Sequence, residues 1–166
     1  MTHYSRDEWQ ARAPRATYDL DREDVDGIVL HWPAMSSPLG NVARVMSALR
    51  SWQSYHMDTL WWSDIGYQLA FDQAGNVYRL RGIQHRSGAN GDMDVNERYL
   101  AFLLILAPGE KPSPAMLRRV RRYIKIGRRL YPNAKVVVGH NDVRPEPTAC
   151  PGPIVTRLIN EGAFKA

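Results

Sequence analysis

The chain is 166 residues long, 44% hydrophobic, and carries a formal net charge of +5. That length suffices for one domain with its own core, and no window of about 18 apolar residues offers a membrane span. A lone cysteine excludes an internal disulfide, and the surplus of Lys and Arg favours an anionic partner: nucleic acid, a membrane surface or an acidic polymer.

The opening MTHYSRDEWQ is polar and lacks the apolar segment of a secretory leader, so synthesis in the cytoplasm without a signal peptide is expected. Ser5 and Glu8 form a capping-box pattern that predicts a short helix at the start of SRDEWQARAPR. GIVLHW (27–32), closed by Pro33, reads as a buried strand. In GNVARVMSALRSWQSYHM, Val42, Val45, Met46, Leu49 and Trp52 or Gln53 recur at helical spacing. YQLAFDQAGNVYRLRG reads as a hairpin around a Gln-Ala-Gly-Asn turn, and YLAFLLILAPG as another buried strand. SPAMLRRVRRYIKIGRRLYP has Ser113 placed as N-cap and Pro114 in the first helical position. AKVVVG is a further strand, and PGPIVTRLINEG a closing helix stopped by Gly162. Strands and helices alternate around one hairpin, which predicts an α/β fold with a central mixed β-sheet flanked by helices.

His31 and His140 each follow a short apolar run, and Cys150 lies ten positions after His140 in a proline-rich loop. Ligands favour the ends of strands in sheets flanked by helices. If the two strands lie side by side, both imidazoles and the thiol can meet. Two imidazoles and a thiolate suit Zn²⁺ and leave a fourth position open. The residues alone leave a second reading open, in which the histidines are core residues with satisfied hydrogen bonds and the cysteine is a buried thiol.

In chain order, SRDEWQARAPR, IVLHW, YHMDTLWWSDIGYQLAFDQAGNVYRLRG, HRSGAN and GHNDV…TACPG resemble the type 2 N-acetylmuramoyl-L-alanine amidases. That family includes bacteriophage endolysins and peptidoglycan recognition proteins. The resemblance runs over roughly residues 5–160, and the whole of 1–166 is expected to be one catalytic domain without a separate wall-binding domain. It implies one zinc held by His31, His140 and Cys150, and cleavage of the amide joining N-acetylmuramic acid to L-alanine. Tyr67, in DIGYQLAF, matches the family's catalytic tyrosine, whose hydroxyl can donate to an oxyanion. Thr148 stands where many phage amidases carry lysine, and offers only a hydroxyl. Trp32, His56 and His85 are candidate groove residues for a glycopeptide, each with packing as its alternative. Asp64 and Asp142 match family positions and suit turn or supporting roles better than metal ligation. RPEP before Thr148 lengthens the loop and brings Glu146 near the site, where a solvated loop glutamate is expected rather than an extra acid/base, and Ile83 stands where many recognition proteins have tryptophan.

The expectation is therefore a compact phage endolysin, a monomer that acts on peptidoglycan after release from the host cytoplasm. A bacterial wall-turnover amidase and a peptidoglycan-binding protein without activity are the alternatives. Recognition proteins that only bind usually lack the matching cysteine, which favours catalysis. Nucleic acid is not expected, because charge is its only support. Within 113–130, Arg118, Arg122, Lys125 and Arg129 form one stripe opposite Leu117, Val120, Ile124 and Gly127. The stripe is expected to contact an anionic cell-wall or membrane surface.

Overall fold

The apolar runs 27–31 and 99–104 contain almost nothing that tolerates water, and they become two neighbouring interior strands of one sheet. The structure is a computed structural model that describes residues 1–33, 35 and 38–166. In chain order the elements are β1 (His3–Tyr4), β2 (Gly27–His31), α1 (Val42–Ser54), a π-helical turn (Tyr55–Thr59), β3 (Leu69–Phe71), β4 (Val77–Arg79) and α2 (Met93–Arg98). There follow β5 (Tyr99–Leu104), α3 (Pro114–Leu130), β6 (Val136–Gly139), the single turn α4 (His140–Val143) and α5 (Pro153–Asn160). The six strands lie in the order β1-β4-β3-β5-β2-β6. Every pairing is parallel except the β3–β4 hairpin, so the sheet is mixed, as the pattern predicts.

Alternation along the strands sorts the core into two faces. Ile28, Leu30, Leu100, Phe102 and Leu104 pack on one side against Met116, Val120 and Ile124 of α3 and Val155 of α5. Ala70, Leu103 and Ile105 pack on the other against Val45 and Leu49 of α1, together with Trp9. Gly27 is required where β2 passes β6, because a Cβ there would come within 2.7 Å of the Val136 carbonyl oxygen. The start of α3 follows from sequence: the Ser113 hydroxyl accepts from Met116 N–H at 3.0 Å, and Pro114 occupies the first turn. Among the described residues, no helix is long and apolar enough to cross a membrane.

The expected N-terminal helix does not form. Ser5 and Glu8 do make the reciprocal capping bonds, Ser5 N–H to Glu8 at 2.7 Å and Glu8 N–H to the Ser5 hydroxyl at 3.3 Å. The chain then closes as a turn, with Gln10 at φ 58°. Trp9 is the reason: its indole is fully buried and donates to the Arg79 carbonyl at 2.8 Å, which fixes the segment against β4. The capping bonds end a turn as readily as they begin a helix when an anchor this large follows.

Candidate metal centre

The parallel register between β2 and β6 pairs Leu30 with Gly139, so the next residues along each strand, His31 and His140, come out at the same sheet end. Their ring centroids lie 4.4 Å apart. The loop after α4 then turns back. Asn141 N–H donates to the Cys150 carbonyl at 2.9 Å, and the Cys150 Sγ reaches 3.7 Å from His31 Nδ1. One donor atom from each of His31, His140 and Cys150 lies within 4.8 Å of the others.

Several contacts aim these groups. Asn90 donates its amide to the Tyr99 carbonyl at 3.0 Å and the Ser87 hydroxyl at 3.1 Å, which turns its Oδ1 toward His31. His31 Nε2 then donates to that oxygen at 2.9 Å, leaving Nδ1 with its lone pair facing Cys150. Asp142 accepts from Gly139 N–H at 2.7 Å and holds the turn on which His140 sits. Gly152 takes φ 87° beside the Trp32 indole, and a Cβ there would meet that ring at 2.9–3.0 Å. Only glycine lets the Cys150 loop pack this tightly.

The cluster reads as a metal site on its own chemistry. His140 Nε2 is buried with no hydrogen-bond partner among the described residues. Burial first, and then its neighbour His140, push the His31 pKa down to about 3; burial and Arg144 push His140 down to about 4. Both rings are therefore neutral and able to ligate. Burial raises the Cys150 thiol to about 11, against the opposing pull of the Trp32 N–H and Arg144, so a bound cation is what would make it a thiolate. A tetrahedral zinc with bonds of about 2.0 Å to nitrogen and 2.3 Å to sulfur sets N and S about 3.5 Å apart. The 3.7 Å between His31 Nδ1 and Cys150 Sγ fits that edge.

An open cleft of about 320 Å³ lies over the three groups, walled by Trp32, Trp62, Tyr67, Arg144 and Thr148. Tyr67 stands edge-on to His31 with centroids 5.2 Å apart. Burial, and then the Cys150 sulfur, raise its pKa, so its hydroxyl keeps its proton and remains a donor. The Thr148 oxygen accepts from Cys150 N–H at 3.2 Å, so this residue braces the loop while its own proton stays free to donate. Trp32 contributes twice, its ring as wall and its N–H donating to the Cys150 sulfur at 3.4 Å.

Two of the expected groove residues sit elsewhere. His56 lies behind the wall, stacked on Trp62 at 4.6 Å, with its Nδ1 accepting from Gly66 N–H. His85 pairs with Asp19 at 2.8 Å, bridged to that segment away from the cleft lining. Glu146 is exposed and does not line the cleft. Sequence reasoning missed Asn90, Arg144 and Trp62 as parts of the site. Asn90 lies within HRSGAN, but its role depends on the carbonyls of Val95 and Tyr99, five and nine positions further along the chain, which no local pattern encodes.

Residues 21–153 match the family profile of N-acetylmuramoyl-L-alanine amidases. Peptidoglycan-recognition protein SC1a of Drosophila melanogaster is 28% identical over 159 residues, which are 95% of this chain and 82% of that protein. An N-acetylmuramoyl-L-alanine amidase of Sus scrofa is 38% identical over 92 residues, 55% of this chain but only 15% of that much longer protein. Among solved structures, Drosophila PGRP-LB superposes with a TM-score of 0.83 at 23% identity, covering 96% of this chain and 94% of that one. A mutant of the same protein in complex with tracheal cytotoxin also gives 0.83, at 24% identity and with 95% and 92% covered.

Proposed function

Because the chain belongs to the N-acetylmuramoyl-L-alanine amidase family, we propose that it is a zinc-dependent hydrolase of the amide between N-acetylmuramic acid and L-alanine in bacterial peptidoglycan. The observation that carries this reading is the convergence of His31, His140 and Cys150, with one unpartnered nitrogen, at the floor of an open cleft. When bound there, zinc would supply a Lewis acid for the scissile carbonyl and lower the pKa of a water to about 7.

The chain's own residues do the rest. Asn90 fixes the His31 tautomer, so one ring nitrogen is always presented unprotonated. Tyr67 keeps its proton through the working range and donates it as a hydrogen bond to the carbonyl oxygen as charge develops there. Thr148 holds the Cys150 backbone in place and offers a second, weaker donor. Trp32 and Trp62 present flat faces to the sugar and the stem peptide and keep bulk water off the reacting bond. Arg144 adds positive charge at the rim, where anionic groups of the stem peptide would lie.

The test is product identification. A soluble muramoyl peptide should yield free N-acetylmuramic acid and a new alanine amino terminus, and chelator should stop the reaction. Release of a different amino terminus would transfer the activity to another bond. The rival reading is a binder without activity, favoured by relatives named as recognition proteins. It predicts retention on peptidoglycan with no new amino terminus. The biological setting we propose is a phage endolysin that reaches the wall after release. Lysis of intact cells should then require a membrane pore supplied alongside it.

A further inference from the structure

The seven cations of α3 fall into two sets, and the helix carries no acid to neutralise either. Arg119, Arg121 and Arg128 are half-buried and spend their guanidinium groups on backbone carbonyls of Gly75, Ala163 and Ala134. Arg118, Arg122, Lys125 and Arg129 are exposed and make no hydrogen bond or ion pair among the described residues. The first set ties the helix down, and folding has no use for the second. Four unpaired cations along about 16 Å of helix, at 1.5 Å per residue, repel one another within a screening length.

We propose that this stripe is a docking surface for a linear polyol-phosphate polymer attached to the bacterial wall. The proposal rests on the amidase reading for its setting. Several observations choose the occupant. The stripe is straight and narrow, which suits a chain of regularly spaced phosphates. It has no apolar edge for insertion between lipids: Met116, Val120 and Ile124 face the sheet, and Leu130 in the last turn is the one large exposed apolar side chain of the helix. It has no aromatic platform for stacking bases, since Tyr123 packs edge-on against Phe71 at 5.6 Å. It also leaves the cleft open. The inward side of α3 joins Ile28 and Leu30, whereas His31 points to the opposite face of β2. Docked there, the enzyme would hold the wall by one side of the sheet and cut at its end.

The experiment is co-sedimentation at 4 °C with purified Gram-positive walls, either retaining their phosphate polymer or stripped of it by acid. Vesicles of zwitterionic and anionic phospholipid run in parallel, and hydrolysis of a soluble muramoyl peptide is read on the same preparations. Parent binding to phosphate-bearing walls should weaken roughly fifty-fold from 50 to 200 mM salt, as four phosphate contacts of a flexible polyanion imply. Arg118→Glu with Arg122→Glu and Arg129→Glu should bind at least about ten-fold more weakly at 50 mM, the corresponding Gln variant should fall between, and peptide hydrolysis should stay at the parent rate. Equal parent binding to stripped walls overturns the proposal, as does tighter binding to vesicles than to walls. So does low-salt self-association of the parent through the acidic patch of Glu23, Asp24, Asp94 and Glu97. Loss of hydrolysis in every preparation with the binding difference intact would count against the amidase reading alone.

Discussion

Two buried polar clusters in this molecule follow opposite rules. Around Asp64, which is 2% exposed, every group is paired. Its oxygens accept from Arg6 at 2.7 Å, Gln53 at 2.6 Å and Ile65 N–H at 2.8 Å, and Gln53 in turn exchanges bonds with the Arg12 backbone. Around His31, His140 and Cys150 one buried nitrogen is left without a partner among the described residues. Asn90 holds His31, Trp32 N–H and Thr148 hold Cys150, and His140 Nε2 meets nothing. A buried polar group without a partner costs about 1–3 kcal/mol, so a cluster built to leave one open is built for something that arrives later. The Asp64 cluster is complete in itself, whereas the histidine–cysteine cluster leaves one nitrogen open.

The sharpest break between the two comes from Cys150→Ser. Hydrolysis of a muramoyl peptide should fall to background, while the melting temperature measured in chelator stays within about 3 °C of the parent, because a serine hydroxyl ligates poorly at neutral pH but fits the site. Acid is the next largest lever. His31 stays neutral in the folded chain down to pH about 3, and His56 and His140 down to about 4. The unfolded chain takes up these protons near 6.5, so zinc-free protein should lose stability as pH falls below that value. The loss is up to about 1.4 kcal/mol per histidine per pH unit and ends as the folded-state values are reached. Denaturant midpoints in chelator at pH 7.5 and 5.5 check it; a flat profile would mean these rings are solvated.

The paired cluster responds differently. Asp64→Ala strands Gln53, Ile65 N–H and Arg6, and should cost roughly 3 kcal/mol, or about 6–12 °C in Tm, with zinc content unchanged. Tyr67→Phe removes one donor from the cleft and should lower kcat by about 10²–10³ while leaving zinc and Tm in place. Asn90→Ala frees the His31 tautomer and should weaken zinc about 10–100-fold, with partial recovery of activity in excess zinc. If Asp64→Ala also stripped zinc, the two clusters would be one unit and the contrast would fail.

How far these roles could be read from sequence depends on how local their causes are. The strands that lead to His31 and His140 are legible because apolar runs with closing Pro and Gly need no tertiary knowledge. The α3 helix was visible for the same reason, through its cap and its period. β1 is two residues long and carries no period, and α2 holds only six residues, begun by the Asp92 side chain accepting from Val95 N–H. IVLHW and GH…CPG carry the three residues that converge in the structure, but these motifs name the residues and not what aims them. His85 was drawn away by Asp19, and His56 by Trp62, neither of which is a neighbour in sequence.

The central claim is that the open cluster exists to hold a metal ion. Zinc content by mass spectrometry, after dialysis of parent and Cys150→Ser against one equivalent of zinc, tests it most directly. The account predicts about one zinc per chain in the parent and close to none in the variant, with both chains folded by circular dichroism. Equal zinc in both, or none in the parent, would contradict it and return His31, His140 and Cys150 to the role of core residues.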